Sequence, residues 1–476
     1  MEVDKVKDTI FREYDIRGII DQGFCIEDSK IIAKGILTYF LQQNPNTKSV
    51  AIGMDGRTHS PQIKNLVIET ITNMGINVID IGLCPTPVFY FSLFNNKEIQ
   101  SGFIITASHN PKEYNGFKIC LDQKSVWGTQ IQEIKEICKT QNFYQNTSNT
   151  KGSIKQFDVI DAYINWLENH FAHLKNLQTA AVVDCGNGTA GVVLEKLVEK
   201  MNWPNIKLLF AEVDGTFPNH EADPTVIKNM QAVIKAFKEN EQLEFGIGFD
   251  GDCDRMAPIT KSGYLVPGDK LLAIYSKQVI EDQPNATVVF DIKSSLGLLE
   301  ELEKLNAKAV FSPSGHSLIK DSMIKNNALL AGELSCHFFF KHRYFGYDDG
   351  IYAMMRLFEI LHQSQKKLET LLSSLPIKIS SPEYRIACKE SEKQKIVEDV
   401  KNYFLKHSDA KTITIDGIRA QLDYGWGLAR VSNTQPVISL RFEGESKEGL
   451  KKIKNEFANA LIPHFEGEII KKELEL

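Results

Sequence analysis

The chain has 476 residues, 42% of them hydrophobic and 24% charged, which excludes a single small scaffold and disorder over most of its length. The 55 Lys and Arg residues against 61 Asp and Glu residues give a formal charge of −6, which argues against general nucleic-acid binding. No segment approaches the ~20 apolar residues that span a bilayer, and the charged N-terminus lacks an apolar signal core, so we expect a cytoplasmic protein without membrane contact.

Helices and apolar strands alternate over the first part of the chain. Helices are predicted at 28–43 and 60–74, and strands at 49–54, 77–82 and 101–108. Strands that alternate with helices indicate a parallel α/β layer.

The alternation recurs in two further blocks. Their predicted strands are 180–188, IKLLFAEV and LEFGIGFD in the second block, and 286–292, 307–312 and 328–335 in the third. From about residue 376 the pattern changes to turn-rich segments of period 2, flanked by helices near 391–406 and 446–462. This change is typical of a small α+β domain with an antiparallel sheet.

These patterns predict three α/β domains with mixed, mostly parallel sheets, followed by a C-terminal α+β domain. The predicted domains are 1–150, 151–258, 259–375 and 376–476. The most linker-like segment, QNFYQNTSNTKGS, lies at the first of these boundaries.

Polar loops that follow apolar strands are candidates for chemistry, because ligands on open parallel sheets gather at the carboxyl ends of the strands. The first such loop is TASHNP, in which a turn can present Ser108 as a nucleophile. A serine hydroxyl needs activation by a base, a metal or a positive charge, and His109 and Lys118 are near in sequence. The alternative is an ordinary polar turn with Asn-Pro at its end.

The second loop is DGDCDR, with carboxylates at alternate positions. Asp250, Asp252 and Asp254 can converge on one hard cation, for which Mg²⁺ is suited. An EF-hand would require Gly and Glu where Arg255 and Lys261 stand, so that motif is excluded. Arg255 beside the carboxylates favours a phosphate next to the metal, and the alternative is a solvated acidic turn.

Two more loops offer polar groups for a ligand. Glu333, Ser335 and His337 in GELSCH are suited to sugar hydroxyls, and the segment RVSNT resembles a cradle for an oxyanion. Each is equally compatible with a structural turn. Further polar residues near strand or helix ends are Tyr14, Arg17, Asp55, Arg57, Lys293, His316 and Lys320.

Taken together, these segments closely resemble the α-D-phosphohexomutase superfamily, and within it the phosphomannomutase/phosphoglucomutase branch. The resemblance runs from FREYDIRGI to SNTQPVISLRFEG, with TASHNP, DGDCDR, GELSCH and RVSNT in the family's order. It implies three related α/β domains and a smaller α+β domain around a central cleft. It also implies a phosphoserine enzyme that interconverts 1-phospho and 6-phospho hexoses, mannose and/or glucose, through a hexose 1,6-bisphosphate intermediate and activator.

The resemblance further implies roles for individual residues. Mg²⁺ is expected on Asp250, Asp252, Asp254 and an oxygen of phosphorylated Ser108. Arg255, Lys118 and Arg17 are expected to compensate charge, and Lys118 or His337 to transfer a proton. Glu333 and Ser335 are expected to contact the sugar. Phosphate contacts are expected from Arg430, Ser432, Asn433 and Thr434, and secondary contacts from Tyr14, Lys293 and His316.

The chain departs from the family pattern in two of these loops. Cys253 stands where the metal loop usually has Gly, and Leu334 and Cys336 replace Met and Gly in the sugar loop. A side chain at such a position restricts the backbone. The departures bear on sugar preference and rate rather than on the class of reaction.

Two other functions fit the same residues. A Mg²⁺-dependent sugar phosphatase would let water intercept the phosphoserine, and a non-catalytic sugar-phosphate-binding protein would keep only the pocket. The intact Ser108 and its acidic loop argue against the second. The expected partner is a hexose phosphate rather than a nucleic acid, and a monomer is expected, with a dimer as the alternative.

Overall fold

The computed structural model describes residues 6–148, 150–406, 409–432 and 436–476. Asn433 and Thr434, two of the predicted phosphate contacts, lie outside the described residues. The chain divides into two compact units, one running to Gly268 and including Ser335–Leu371, the other comprising Asp269–Leu334 and Leu372–Leu476. Among the helices of the described residues, none combines the length and apolar content needed to cross a bilayer.

The first sheet of the first unit is mixed and mostly parallel. Its strands are β1 (Ile16–Ile19), β2 (Ser49–Met54), β3 (Asn77–Leu83), β4 (Gly102–Ile105), β5 (Tyr114–Leu121), β6 (Lys124–Ser125) and β7 (Ile154–Gln156). The order is β1-β5-β4-β2-β3-β7, with β6 paired to β5. Strand β5 is antiparallel to its neighbours β1, β4 and β6, and the other pairs are parallel. Its helices are α1 (Asp28–Gln43), α2 (Ser60–Asn73), α3 (Thr86–Asn95) and α4 (Thr129–Thr140).

The second sheet of this unit follows the same plan. It contains β8 (Ala181–Asp184), β9 (Ile206–Leu209), β10 (Phe245–Phe249) and β11 (Met256–Thr260), with helices α5 (Val159–His170), α6 (Ala190–Met201) and α7 (Gln231–Glu239). The order is β11-β10-β8-β9, and only β11 runs antiparallel to its neighbour. Strands β4, β8 and β10 are buried along their whole length, as expected of central strands covered on both faces.

The second unit opens with three parallel strands. Its elements here are α8 (Gly268–Asp282), β12 (Thr287–Asp291), α9 (Leu296–Lys304), β13 (Lys308–Ser312), α10 (His316–Lys325) and β14 (Leu330–Gly332). Strand β12 lies between β13 and β14 and runs parallel to both. The carboxyl ends of these strands therefore lie at one edge, where Glu333 directly follows β14 and Lys293 lies two residues after the end of β12.

The chain then returns to the first unit with β15 (Phe338–Phe340) and α11 (Gly350–Ser364), and α12 (Leu368–Ser373) follows. The return is stabilised by aromatic packing, in which the Phe345 ring lies within 6.1 Å of the rings of Phe91, Phe94 and Trp166. The segment predicted as one third domain is thus divided between the two units. Strand β7 likewise follows residue 150 in sequence but pairs with β3 in the first sheet.

The C-terminal part of the second unit is an antiparallel α+β layer, as the period-2 pattern predicts. Its elements are β16 (Ile379–Ser380), β17 (Tyr384–Ala387), α13 (Lys393–Leu405), β18 (Lys411–Ile413), β19 (Ile418–Leu422), β20 (Gly425–Val431), β21 (Val437–Gly444), α14 (Lys447–Leu461) and α15 (Gly467–Glu473). The order is β16-β21-β20-β19-β18, with β17 also paired to β21. The described sheets confirm the predicted combination of mixed α/β layers with a C-terminal α+β layer.

Candidate active site

The serine loop begins after β4, which ends at Ile105. This end lies three residues before the predicted end of the strand at residue 108. Ser108 is 3% exposed and has φ of 52°, in the left-handed region, so the backbone turns sharply at this residue. The Thr106 hydroxyl supports the turn by accepting a hydrogen bond from Ser108 N at 2.9 Å. The Ser108 hydroxyl donates to Asp250 Oδ2 at 3.0 Å and lies 3.1 Å from His109 Nδ1. The turn therefore aims the hydroxyl at the acidic loop.

The acidic loop follows β10 and gathers three fully buried carboxylates. One oxygen from each of Asp250, Asp252 and Asp254 lies within 4.8 Å of the others. Within the described part of the chain, Asp252 Oδ1 and Asp254 Oδ1 are buried without a hydrogen-bond partner. Buried acceptors without partners are costly, and converging carboxylate oxygens are the ligands that Mg²⁺ prefers. The residues present therefore fit the expected cation.

Lys118 on β5 supplies a positive charge to this loop. Its Nζ donates to Asp252 Oδ2 at 2.7 Å and makes a shorter contact with Asp254 Oδ2. Burial alone would lower the pKa of Lys118, but Asp252 and Asp254 raise it above its ordinary value. Burial, together with the charges of Asp254 and Asp252, raises the pKa of Asp250 well above that of an exposed carboxyl group. One ammonium group thus leaves the cluster with excess negative charge, which a divalent cation would offset.

Thr86 is a contact that the sequence patterns did not reveal. It begins α3, and its hydroxyl donates to Asp252 Oδ2 at 2.6 Å while its backbone N donates to Asp252 O at 2.8 Å. The Thr106 hydroxyl reaches the same carboxylate oxygen at 3.1 Å. The only local signal was a Thr-Pro pair at a helix start, which ordinarily marks a cap and says nothing about a distant carboxylate.

Arg255 and His337 meet beside the acidic loop. Arg255 N donates to Asp250 Oδ1 at 3.1 Å, and Arg255 Nε donates to His337 Nε2 at 2.9 Å. Because His337 Nε2 accepts, its ring proton is assigned to Nδ1, which lies 3.2 Å from Asp348 Oδ2 and 3.5 Å from Asp254 Oδ1. Asp348 was missed by sequence reasoning, since its Asp-Asp-Gly context predicts a helix cap and nothing more.

Arg17 and His109 complete this side of the site. Arg17 on β1 is paired with Asp15 and donates from Nη1 to Asn110 Oδ1 at 2.6 Å, within the serine loop. Burial and the nearby charges of Arg255 and Arg17 lower the pKa of His109 well below its ordinary value, so the ring is neutral. Tyr14 is half-buried just before β1.

The first unit thus brings together the serine, the aspartates and the predicted charge-compensating residues. Ser335, by contrast, lies in a half-buried turn before β15. Cys253 and Cys336, the two replacements for glycine, have φ of 65° and 67°. Both cysteines therefore occupy the conformation that favours glycine.

The second unit gathers another set of predicted residues around two acidic side chains. Asp291, at the end of β12, lies 3.6 Å from Lys293 Nζ and accepts from Ser314 Oγ at 3.2 Å. Glu333 Oε1 accepts from Gly315 N at 2.7 Å, which fixes the loop before His316, the first residue of α10.

Arg430 reaches the same region of the second unit from β20. Its Nε lies 2.9 Å from Asp416 Oδ2, an oxygen that also accepts weakly from Ser314 N at 3.4 Å. Ser432 follows β20, and its carbonyl accepts from Lys393 Nζ at 2.9 Å. Asp416 was not predicted, because an Asp-Gly pair between short strands indicates a hairpin turn.

Comparisons with known proteins agree with this arrangement. Models of the phosphoglucomutase/phosphomannomutase alpha/beta/alpha domains I, II and III match residues 8–145, 161–263 and 267–379, and the model of the family's C-terminal domain matches residues 383–460. A phosphomannomutase/phosphoglucomutase from Pseudomonas syringae pv. tomato is 41% identical over 451 residues, covering 94% of both chains. A phosphoglucomutase from Neisseria meningitidis serogroup A is 37% identical over 449 residues, covering 94% of this chain and 95% of the relative.

A solved structure gives the same result. A phosphoglucomutase/phosphomannomutase family protein from Burkholderia thailandensis matches with a TM-score of 0.88 at 33% identity, covering 96% of this chain and 98% of that chain. Fold and sequence together define an enzyme of the phosphohexomutase class. Within that class, the chain belongs to the phosphoglucomutase/phosphomannomutase family, as its motifs predict.

Proposed function

We propose that the chain interconverts the 1-phospho and 6-phospho forms of a hexose, mannose and/or glucose, by passing phosphoryl groups through Ser108. The observation that carries this proposal is the Ser108 hydroxyl at 3.0 Å from Asp250, within a cluster of three buried carboxylates. A nucleophile beside a hard-cation site is the arrangement that phosphoryl transfer requires.

Mg²⁺ is the cation that this site fits, with Asp250, Asp252 and Asp254 as its protein ligands. When bound, it would polarise the phosphoryl group and offset charge on its oxygens. Thr86, Thr106 and Lys118 all contact Asp252 Oδ2, which leaves Asp252 Oδ1 as the oxygen without a protein partner. These residues hold the ligand carboxylate in place before a cation arrives.

In the first half-reaction, the bond between Ser108 Oγ and phosphorus breaks as phosphorus bonds to a free hydroxyl oxygen of the hexose monophosphate. The hydroxyl proton passes to a protein base, Ser108 Oγ takes up a proton to become a hydroxyl, and the product is a hexose 1,6-bisphosphate. This intermediate reverses its orientation and returns its other phosphoryl group to Ser108, which restores the enzyme. Added hexose 1,6-bisphosphate would activate any enzyme that has lost its phosphate.

His337 is the better candidate for the base. The Lys118 ammonium group already donates to two carboxylates, whereas His337 Nε2 has a lone pair that can take the proton once Arg255 Nε turns to the phosphoryl oxygens. Asp348 lies near Nδ1 and would stabilise the charged ring. Lys118, Arg255 and Arg17 are then left to offset charge on the phosphoryl oxygens. Glu333 and Ser335 are proposed for sugar hydroxyls, and Lys293, His316, Arg430 and Ser432 for the phosphate that is not reacting.

The test is a Ser108→Ala variant in a coupled mutase assay with mannose 1-phosphate and glucose 1-phosphate. We expect loss of most turnover with an unchanged melting temperature, because the Ser108 hydroxyl is small and the fold does not depend on it. Ser101→Ala is a matched control, since Ser101 is also buried next to β4 and its hydroxyl accepts from Asp122 N. Near-normal turnover in Ser108→Ala would refute the covalent route, and excess free phosphate from the wild type would indicate a phosphatase instead.

A further inference from the structure

Arg57 makes an unusual set of hydrogen bonds to the serine loop. Its side chain is completely buried, and all five of its N–H donors have acceptors. One donor bonds to Asp55, and the other four bond to backbone carbonyl groups of the loop, those of Ser108 (2.7 Å), Asn110 (2.6 Å), Pro111 (2.7 Å) and Tyr114 (3.1 Å). One guanidinium group therefore binds the main chain from the proposed nucleophile to the start of β5.

The Ser108 carbonyl is also confined from the opposite loop. A Cβ built on Gly251 would lie 2.7 Å from Ser108 O, closer than a side chain can approach. The carbonyl is thus held between the Arg57 guanidinium and the backbone of the acidic loop. Because Ser108 has φ of 52°, its conformation needs such external support.

A third contact fixes the guanidinium itself. The Phe217 ring lies 5.3 Å from Arg57 Cζ, and the same ring is 3.5 Å from the position of a Gly251 Cβ. Asp55 is in turn held by the Ser60 hydroxyl at 2.8 Å. Asp55 and Phe217 therefore help to fix Arg57 from outside the serine loop.

We propose that Arg57 is the positioning residue that holds Ser108 in its left-handed conformation, so that its hydroxyl meets the acidic loop. This inference rests on the proposed role of Ser108 as phosphoryl carrier. No hydrogen bond joins Arg57 to the Ser108 hydroxyl or to Asp250 in the described structure, so its effect is transmitted through the Ser108 carbonyl. Lysine cannot replace it, because a single ammonium group does not reach four carbonyl groups in a planar fork.

The experiment compares Arg57→Lys and Arg57→Ala with the wild type. Misplacement of a nucleophile by about 1 Å costs on the order of 100-fold in rate, so we expect kcat to fall by about that factor in Arg57→Lys. The Michaelis constant should change little, since the sugar and phosphate contacts lie elsewhere. Guanidinium ions, added well below unfolding concentrations, should restore kcat in Arg57→Ala by occupying the vacated site.

The matched control is Arg356, which is equally buried in the same unit, pairs with Glu359 at 3.2 Å and donates to His342 O at 3.3 Å. Arg356→Ala should lose stability, keep its kcat per folded molecule and not respond to guanidinium. Phosphate uptake by Ser108 from glucose 1,6-bisphosphate is followed by intact-protein mass in every variant.

Two outcomes would overturn the positioning role. One is a kcat for Arg57→Lys that equals the wild-type value per folded molecule, and the other is a loss in Arg57→Ala that guanidinium does not reverse. Both are distinguishable from failure of the proposed function, in which the wild type itself would take up no phosphate on Ser108. Slow phosphate uptake in Arg57→Lys with normal uptake in the wild type supports the positioning role.

Discussion

At the scale of single residues, the two oxygens of Asp252 have different surroundings. Asp252 Oδ2 receives three hydrogen bonds, whereas Asp252 Oδ1 has no partner among the described residues. We therefore expect Asp252→Asn to weaken Mg²⁺ binding by roughly 10- to 150-fold, the equivalent of one lost charged interaction of about 1.5–3 kcal/mol. Isothermal titration of metal into the purified variant measures this directly, without reliance on turnover.

A chelator supplies the complementary measurement. Removal of divalent cations should abolish turnover in the wild type, and Mg²⁺ should restore it. The melting temperature of Asp252→Asn should stay close to that of the wild type, since Asn retains the shape and can accept the same hydrogen bonds. Full turnover in metal-free buffer would contradict the metal assignment.

The cysteines that replace glycine allow a second prediction at this scale. Cys253 is fully buried with φ of 65°, so Cys253→Ala loses the sulfur and keeps the strained backbone. Cys253→Gly loses the same sulfur and relieves a strain of roughly 1–2 kcal/mol. We expect the Gly variant to be more stable than the Ala variant, by about 1 kcal/mol after the entropy of the unfolded chain is included.

A cysteine in an ordinary strand should show the opposite order. Cys120 lies within β5 and is 3% exposed, and glycine in a strand costs about 0.5–1 kcal/mol relative to alanine. Chemical denaturation of the four variants gives both differences. An Ala variant that is more stable than the Gly variant at Cys253 would show that this backbone is not strained.

The sequence identifies residues whose chemistry is concentrated in one loop, and it misses those that act from a distance. Ser108 and the aspartates were predicted because each lies in a polar loop after an apolar strand. Thr86 and Asp348 were not predicted, because their local contexts indicate helix starts. Their contacts with the acidic loop and with His337 arise only when separate segments pack together, and no local pattern encodes such pairs.

At the scale of elements, the periodic pattern predicted the bounds of helices more accurately than the ends of strands. Helix α1 and strand β2 have the predicted bounds, whereas the strand predicted at 101–108 ends at Ile105. Apolar and small residues continue past the hydrogen-bonded ladder, so composition cannot mark the residue at which the backbone turns. The return of residues 335–371 to the first unit depends on aromatic packing against α3 and α5, which is also invisible in the linear pattern.

Helix α11 gives a prediction about pH. Its N-cap, Asp349, accepts from Tyr352 N at 2.8 Å and from the hydroxyls of Tyr163 and Tyr344 at 2.8 and 2.7 Å. Burial nevertheless raises the pKa of Asp349 from 3.8 to about 6. The folded state therefore favours the protonated carboxyl group, and its contribution to stability is present below about pH 4 and lost as the pH rises through about 6.

A shift of this size corresponds to about 3 kcal/mol. Asp349→Asn retains a cap oxygen but cannot ionise. Between about pH 4 and pH 6.5, we expect the unfolding free energy of the wild type to fall by about that amount relative to the Asn variant. If the difference in unfolding free energy between the wild type and the Asn variant stays constant across this pH range, Asp349 does not titrate there.

At the scale of the whole molecule, the proposed roles divide between the two units. Ser108, the aspartates and their charge partners belong to the first unit, whereas Lys293, Glu333 and Arg430 belong to the second. A mutase must let its bisphosphate intermediate turn around between the two half-reactions without losing it to solution. The residues that hold the phosphate that is not reacting therefore have to accept either end of the sugar.

Arg430 is the residue on which this requirement can be tested. Loss of a hydrogen bond to a charged group costs about 1.5–3 kcal/mol, so Arg430→Ala should raise the Michaelis constants for both glucose and mannose 1-phosphates by roughly 10- to 150-fold. The variant should also release more hexose 1,6-bisphosphate per turnover and depend on added bisphosphate. A coupled assay gives the constants, and chromatography of the reaction mixture gives the escaped intermediate.

The contact of Arg430 with Asp416 at 2.9 Å offers a structural alternative, in which the arginine only fixes a turn of the antiparallel layer. Asp416→Asn separates the two roles, because it weakens that contact and leaves the guanidinium able to bind phosphate. If Arg430 binds phosphate, Asp416→Asn should keep its intermediate while Arg430→Ala loses it. If Arg430 only fixes the turn, both variants should show lower melting temperatures, unchanged Michaelis constants and no extra bisphosphate in solution, and the phosphate-binding role would be withdrawn.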